Sequence, residues 1–134
     1  RGQSRALRFG NATLNLAGVD YQKVREEYLV GAEELLLPDA TNLLLSHNPD
    51  VFPVAARKGF DITIAGHTHG GQVNFEIVHP WLNLVRVKTP YVYGKFEQDG
   101  SRMFVSRGIG TIGVPARLNA PPEVALIRLC SISS

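Results

Sequence analysis

The chain has 134 residues, 44% hydrophobic and 19% charged, the balance of a globular chain that buries a core, which excludes a disordered tail. Fourteen Lys and Arg against twelve Asp and Glu leave a formal charge of +2, and the basic residues are scattered without a run, so charge argues for neither a nucleic-acid nor a membrane-surface partner. The single cysteine, Cys130, excludes an intrachain disulfide, and no apolar stretch approaches the roughly 18 residues of a spanning helix.

The chain opens Arg1-Gly2-Gln3-Ser4, without an initiator methionine or a signal segment, and the expectation is that further coding sequence precedes it. Leu7-Arg8-Phe9 and Ala12-Thr13-Leu14-Asn15-Leu16 alternate apolar and polar residues around Gly10-Asn11, the pattern of a hairpin. Val24, Tyr28, Ala32 and Leu35 or Leu36 then fall at helical spacing, so the pattern predicts a helix from about Tyr21 to Leu37, with Gly31 as a weak point and Pro38-Asp39 as the stop. Thr41-Asn42-Leu43-Leu44-Leu45-Ser46 is a short unalternating apolar run that suits a strand buried on both faces. A helix follows, with Asn48 or Asp50 as its predicted cap and Gly59 as its stop. Phe60-Asp61-Ile62-Thr63-Ile64-Ala65 is a second such strand. Strand, helix, strand with short connections makes a βαβ unit with parallel neighbouring strands. After Gly71 come short β-like pieces at 73–75, 84–87, 91–96, 102–106 and 124–129, with a hairpin turn at Gln98-Asp99-Gly100. These predict a second, mainly antiparallel sheet within one α/β unit over residues 1–134.

Both predicted parallel strands run into histidines: His47 after the first, and Gly66-His67-Thr68-His69-Gly70-Gly71 after the second. The carboxyl ends of adjacent parallel strands are where α/β sheets place their sites. Imidazole is mostly neutral at pH 7 and binds a divalent transition metal with little proton cost. On an extended backbone the i, i+2 spacing of His67 and His69 puts both rings on one side, and the glycines let the chain turn sharply beside a ligand. The alternative for each, a loop histidine bonded to a backbone carbonyl, fits His79 in Val78-His79-Pro80-Trp81 better than it fits this constellation. Trp81 is read as core rather than as an apolar lip for a lipid-bearing substrate.

Four stretches together carry a resemblance: Ser46-His47-Asn48-Pro49-Asp50, Gly66-His67-Thr68-His69-Gly70-Gly71-Gln72, Pro90-Tyr91 with Gly94, and Val105-Ser106-Arg107-Gly108-Ile109-Gly110. From about Leu14 to Leu129 the chain resembles the C-terminal half of calcineurin-like metallophosphoesterases, nearest the bacterial branch of small predicted phosphohydrolases that includes UDP-diacylglucosamine pyrophosphatase-like enzymes. The resemblance implies half of a four-layer αββα sandwich, with His47 and His67 on one divalent metal and His69 on a second, either manganese, zinc or iron. It implies a hydrolase of phosphomonoesters, phosphodiesters or pyrophosphates, on a phosphorylated small-molecule or lipid-linked substrate. The parent would sit in a bacterial cytoplasm or reach a membrane through an N-terminal segment outside this chain.

Asn48, the backbone of Gly70 and Gly71, and Arg107 are candidate phosphate contacts, against a capping role for Asn48 and a surface ion pair for Arg107. The family's remaining ligands come from Asp-x-His, Gly-Asp-x-x-Asp and Gly-Asn-His-Asp motifs, none of which occurs in these residues. Three neutral imidazoles cannot bridge two cations or offset their charge, so the chain alone is expected to be inactive and its open edges to invite dimerisation. Two rival readings stand beside this one: a self-sufficient zinc site with three histidines and an open position, and a truncated, non-catalytic metal-binding or interaction module.

Overall fold

The computed structural model describes residues 2–23, 27–74, 84–113 and 115–130. Val24, Phe75, His79 and Trp81 lie outside them. The predicted N-terminal hairpin is present: β1 (Gln3–Phe9) and β2 (Ala12–Gly18) pair antiparallel, with Phe9 opposite Ala12. β3 (Thr41–Leu45) lies parallel to β2, and β4 (Ile62–Ala65) parallel to β3, with Leu44 opposite both Ala17 and Thr63. The βαβ unit is therefore as expected, its helix α1 running from Phe52 to Lys58. Gly59 ends α1 at φ 102°, its N–H donating back to the carbonyls of Ala55 and Ala56, a conformation that favours glycine.

Neither expected cap caps that helix. Asn48 begins a short 3-10 turn over Pro49–Val51 with no side-chain capping bond, and Asp50 accepts a hydrogen bond from the Thr89 hydroxyl. Pro49 and Pro53 need no amide partner at a helix start, which relieves the demand for a cap.

The helix expected over 21–37 does not form among the described residues, where only a 3-10 turn, Ala32–Leu35, appears. Leu29 and Gly31 take positive φ values of 59° and 73°, which an α-helix excludes. A buried amide pair supplies the segment with the partners a helix would have given. Asn15 Nδ2 donates to the Leu35 carbonyl and to Asn42 Oδ1, while Asn42 Nδ2 donates to the carbonyls of Leu37 and Ala40. Once those carbonyls are satisfied from the sheet, helix propensity no longer decides the conformation.

The hairpin at Gln98-Asp99-Gly100 is also present, as β5 (Gly94–Gln98) and β6 (Ser101–Val105). It does not start a second sheet. β6 runs parallel beside β4, giving one six-stranded mixed sheet in the order β1-β2-β3-β4-β6-β5. The reason is burial: Ser101, Met103 and Val105 continue the buried face of Thr63 and Ala65, and the unpaired edge of β4 takes up the ladder bonds of β6. Of the other expected pieces, Leu84–Val87 is a 3-10 turn and 124–129 runs exposed without strand partners.

The described residues form a mixed α/β sheet structure with few helices, fitting part of the sandwich that the resemblance implies. Among the described residues no helix is long and apolar enough to cross a membrane. α1 and its flanking turns cover one face of the sheet. Ala17, Leu29, Ala32, Leu44, Val51, Ala55 and Phe60 form one buried cluster, and Phe52, Ala65, Met103 and Val105 a second that is edged by Tyr91 and Phe96. Each fully buried Leu or Phe there contributes about 1.5–3 kcal/mol relative to exposure. The opposite face carries Leu14, Leu16, Leu43, Leu45, Ile62, Ile64 and Phe104 by strand alternation, and most of these stay partly open to solvent.

Candidate metal centre

The two histidine turns leave the same edge of the sheet and are tied together there. Ser46 N–H donates to the Ile64 carbonyl at 3.0 Å, and Gly66 N–H to the His47 carbonyl at 3.2 Å, so the β3–β4 ladder continues past the strand ends. This brings the His47 and His67 rings to a centroid separation of 4.6 Å, with His67 Nδ1 2.8 Å from His47 Nε2. Without a cation such a pair shares one proton between the facing nitrogens, and a divalent cation held by both rings would take that proton's place. Burial, and after it the neighbouring His47, hold the His67 pKa below the ordinary histidine value, which favours the neutral, ligating form.

His69 goes elsewhere. The backbone from His67 to Gln72 is not extended: His67, His69, Gly70, Gly71 and Gln72 have φ values of 71°, 51°, 64°, 84° and 48°. Thr68, the one residue of ordinary φ in this run, anchors the turn with its hydroxyl on the Val92 carbonyl. The shared side expected from i, i+2 spacing is thus lost, and the His69 ring turns to the Gly110 carbonyl, 2.9 Å from its Nδ1. Left-handed backbone at His67, His69 and Gln72 costs about 1–2 kcal/mol each, the kind of strain that folds retain at functional turns. Gln72 offsets part of it through a two-way amide contact with Ile112, donating to its carbonyl at 2.9 Å and accepting from its N–H at 2.7 Å.

The candidate phosphate contacts are placed as follows. Asn48 is completely buried; neither of its amide atoms meets a partner in hydrogen-bonding geometry, and the Tyr28 hydroxyl is a polar group near it. Gly70 is buried against the Arg107 stem and Ala120, and the Gly71 N–H is taken by the Thr68 carbonyl. The Arg107 guanidinium pairs with Glu123 at 2.9 Å and lies over the Tyr93 ring at 5.3 Å, the ion-pair alternative to a phosphate contact.

Three residues escaped the sequence reading. Tyr21, 52% exposed, sets its ring 5.5 Å from His47 and 6.0 Å from His67. Glu123 holds Arg107, and Arg117 reaches the His69 turn from 48 residues away. No local pattern marks any of them, because each contact is made only by the folded loops.

The donor set fits divalent metal. Two imidazole nitrogens converge at the strand edge, and His69, bonded through Nδ1 to a carbonyl, keeps Nε2 for coordination, the arrangement that metal-binding histidines commonly adopt. Among the described residues no three His, Cys, Asp or Glu side chains stand close enough to hold one ion.

Curated relatives bear on which chemistry this edge belongs to. The uncharacterized protein YpbG of Bacillus subtilis is 31% identical over 97% of this chain and 47% of its own length. An uncharacterized metallophosphoesterase of Helicobacter pylori is 31% identical over 87% of this chain and 32% of its own length, and phosphodiesterase YaeI of Escherichia coli 36% over 73% and 34%. The chain belongs to the calcineurin-like metallophosphoesterases. This metallophosphoesterase chain spans less than half the length of the relatives it matches, a share that fits half of a larger domain. No family model matches it. No solved structure matches it either.

Proposed function

We propose that the chain is the histidine half of a two-metal phosphoester hydrolase, in which His47 and His67 hold one divalent cation and His69 the other, with manganese, zinc or iron in the parent protein. The observation that carries this is the 2.8 Å approach of His47 Nε2 and His67 Nδ1 at the carboxyl edge of two parallel strands. When bound, the metals would supply Lewis-acid polarisation of phosphoryl oxygens and an activated water. The chain's own residues do the rest: the His47–Gly66 backbone bond sets the distance between the two rings, and the low pKa of His67 keeps its lone pair available. The Gly70 and Gly71 turn, Asn48 and Arg107 are the groups proposed near the phosphate, Arg107 only after release from Glu123. Phosphodiesters are the favoured class among monoester, diester and pyrophosphate, on the name of the Escherichia coli relative.

A single zinc held by all three histidines is disfavoured, because His69 is bonded to Gly110 and no three-ligand group exists among the described residues. Zinc or manganese titration of the chain tests the reading, with His47→Ala and His67→Ala each expected to weaken binding at least tenfold. The chain alone should not turn over a chromogenic bis-phosphodiester with added manganese, because the Asp-x-His, Gly-Asp-x-x-Asp and Gly-Asn-His-Asp motifs that would supply a bridging carboxylate do not occur in its sequence. Metal-dependent turnover equal to the parent's, abolished by His67→Ala, would overturn the two-metal reading in favour of a self-sufficient histidine site.

A further inference from the structure

We infer that Arg117 is the positioning residue for His69, through the Gly110 carbonyl. That carbonyl is an acceptor only, so the 2.9 Å contact from His69 Nδ1 calls for the ring proton on Nδ1 and leaves the lone pair on Nε2; an Arg117 terminal nitrogen also stands 3.4 Å from Nδ1, but its two hydrogens are taken by the Gly110 and Arg107 carbonyls. The same oxygen receives Arg117 Nε at 3.0 Å and one of its terminal nitrogens, and this fixes where the oxygen lies. The remaining donors of the fork collect three further carbonyls: Arg107 at 2.9 Å, Ala120 at 3.0 Å and His69 itself at 3.4 Å. One planar guanidinium thereby ties the 107–110 loop and the 117–120 segment to the strained His69 turn, a geometry that a lysine's single ammonium cannot reproduce.

In the absence of Arg117 the Gly110 carbonyl keeps only the His69 ring as donor, and the His69 carbonyl, at a residue of φ 51°, loses the guanidinium. The ring proton is then free to move to Nε2, the nitrogen a metal would need bare. This inference rests on the two-metal reading for its purpose, but its structural claim stands apart from any bound metal.

The test is therefore made first on the metal-free chain. Long-range proton–nitrogen correlation spectra of isotopically labelled protein, at a pH where imidazoles are neutral, report which nitrogen of each ring carries the proton. The wild type is expected to show His69 protonated on Nδ1. Arg117→Ala, and Arg117→Lys as the variant that keeps charge without the fork, are expected to shift the proton toward Nε2 while the β5–β6 hairpin signals stay in place. Zinc affinity of the same variants should fall by about tenfold, the usual size of an outer-sphere effect. A wild-type His69 protonated on Nε2, or a tautomer unchanged in both variants, overturns the proposal. Loss of the fold in both overturns it too, since Arg117 would then be a general staple. A tautomer shift in a chain whose wild type binds no zinc upholds the positioning role and counts instead against the metal centre.

Discussion

Asp50 shows how a residue chosen for one role serves another. It sits in the turn after His47, and its charge reaches both Tyr28 and Tyr91, whose phenols burial first and Asp50 second push above the ordinary tyrosine value. Both are harder to ionise folded than unfolded, so the stability they contribute is present below about pH 10 and is lost as pH rises through their folded values. Tyrosinate absorbance should show two late-titrating phenols, and Asp50→Asn should bring both down toward the ordinary range; a titration indifferent to Asp50→Asn would show that burial alone acts. Gly70 makes a second residue-scale case. At φ +64° a built Cβ would stand 2.7 Å and 2.8 Å from Arg107 Cγ and Cδ, carbons that the Glu123 pair and the Tyr93 ring keep from swinging away. Gly108, at φ +62°, meets nothing within 4 Å. Gly108→Ala should thus cost about 1–2 kcal/mol for left-handed backbone alone, and Gly70→Ala measurably more, as read from denaturation midpoints. Equal losses would mean that Arg107 yields freely.

At the scale of elements, strands were legible where one face is buried and helices where glycine stops them. β3, β4 and α1 follow from apolar runs and from Gly59, but the expected burial of both strands on two faces holds on one only, since Leu45 is 39% exposed and Ile62 and Ile64 are half-buried. The 21–37 segment has helical spacing, yet Asn15 and Asn42, from two other elements, take up the carbonyls of Leu35 and Leu37. Those amides sit in strand positions that a periodic reading assigns to the ladder. β4 also carries an unresolved local cost: Thr63 is fully buried and its hydroxyl has no hydrogen-bond partner. An unpaired buried hydroxyl costs about 1–3 kcal/mol. Thr63→Val, nearly isosteric, should therefore raise the thermal midpoint or leave it unchanged, and a clear loss would indicate that the hydroxyl is bonded in solution.

For the whole molecule the consequential feature is the uncovered sheet face. Leu45, 39% exposed, with Leu14, Leu16, Ile62, Ile64 and Phe104 makes a contiguous apolar surface on the side away from α1. The outer strand β1 guards its own edge with Arg5 and Arg8, but no charge interrupts Leu45 and Ile64, which pair in register. The isolated chain is expected to self-associate with rising concentration, and Leu45→Lys with Ile64→Lys to return it to a monomer in sedimentation velocity. A wild type that stays monomeric at high concentration contradicts this. The relatives, more than twice as long as their matched share, have sequence enough to cover such a face.

The sequence by itself determined the α/β class, the adjacency of β3 and β4, and the family, because apolar runs, glycine stops and the Ser-His-Asn-Pro and Gly-His-Thr-His elements are short-range patterns. From these it also determined that His47 and His67 would meet, since parallel pairing carries two strand ends to one edge. Only the tertiary structure decided where His69 points. That direction depends on positive φ at the non-glycine residues His67, His69 and Gln72, which no local pattern announces beside the legible Gly70 and Gly71, and on Gly110 and Arg117 brought in from a later loop. It decided as well that β6 would close onto β4 instead of founding a second sheet, because an open strand edge and a buried face outbid any preference written within residues 94–105.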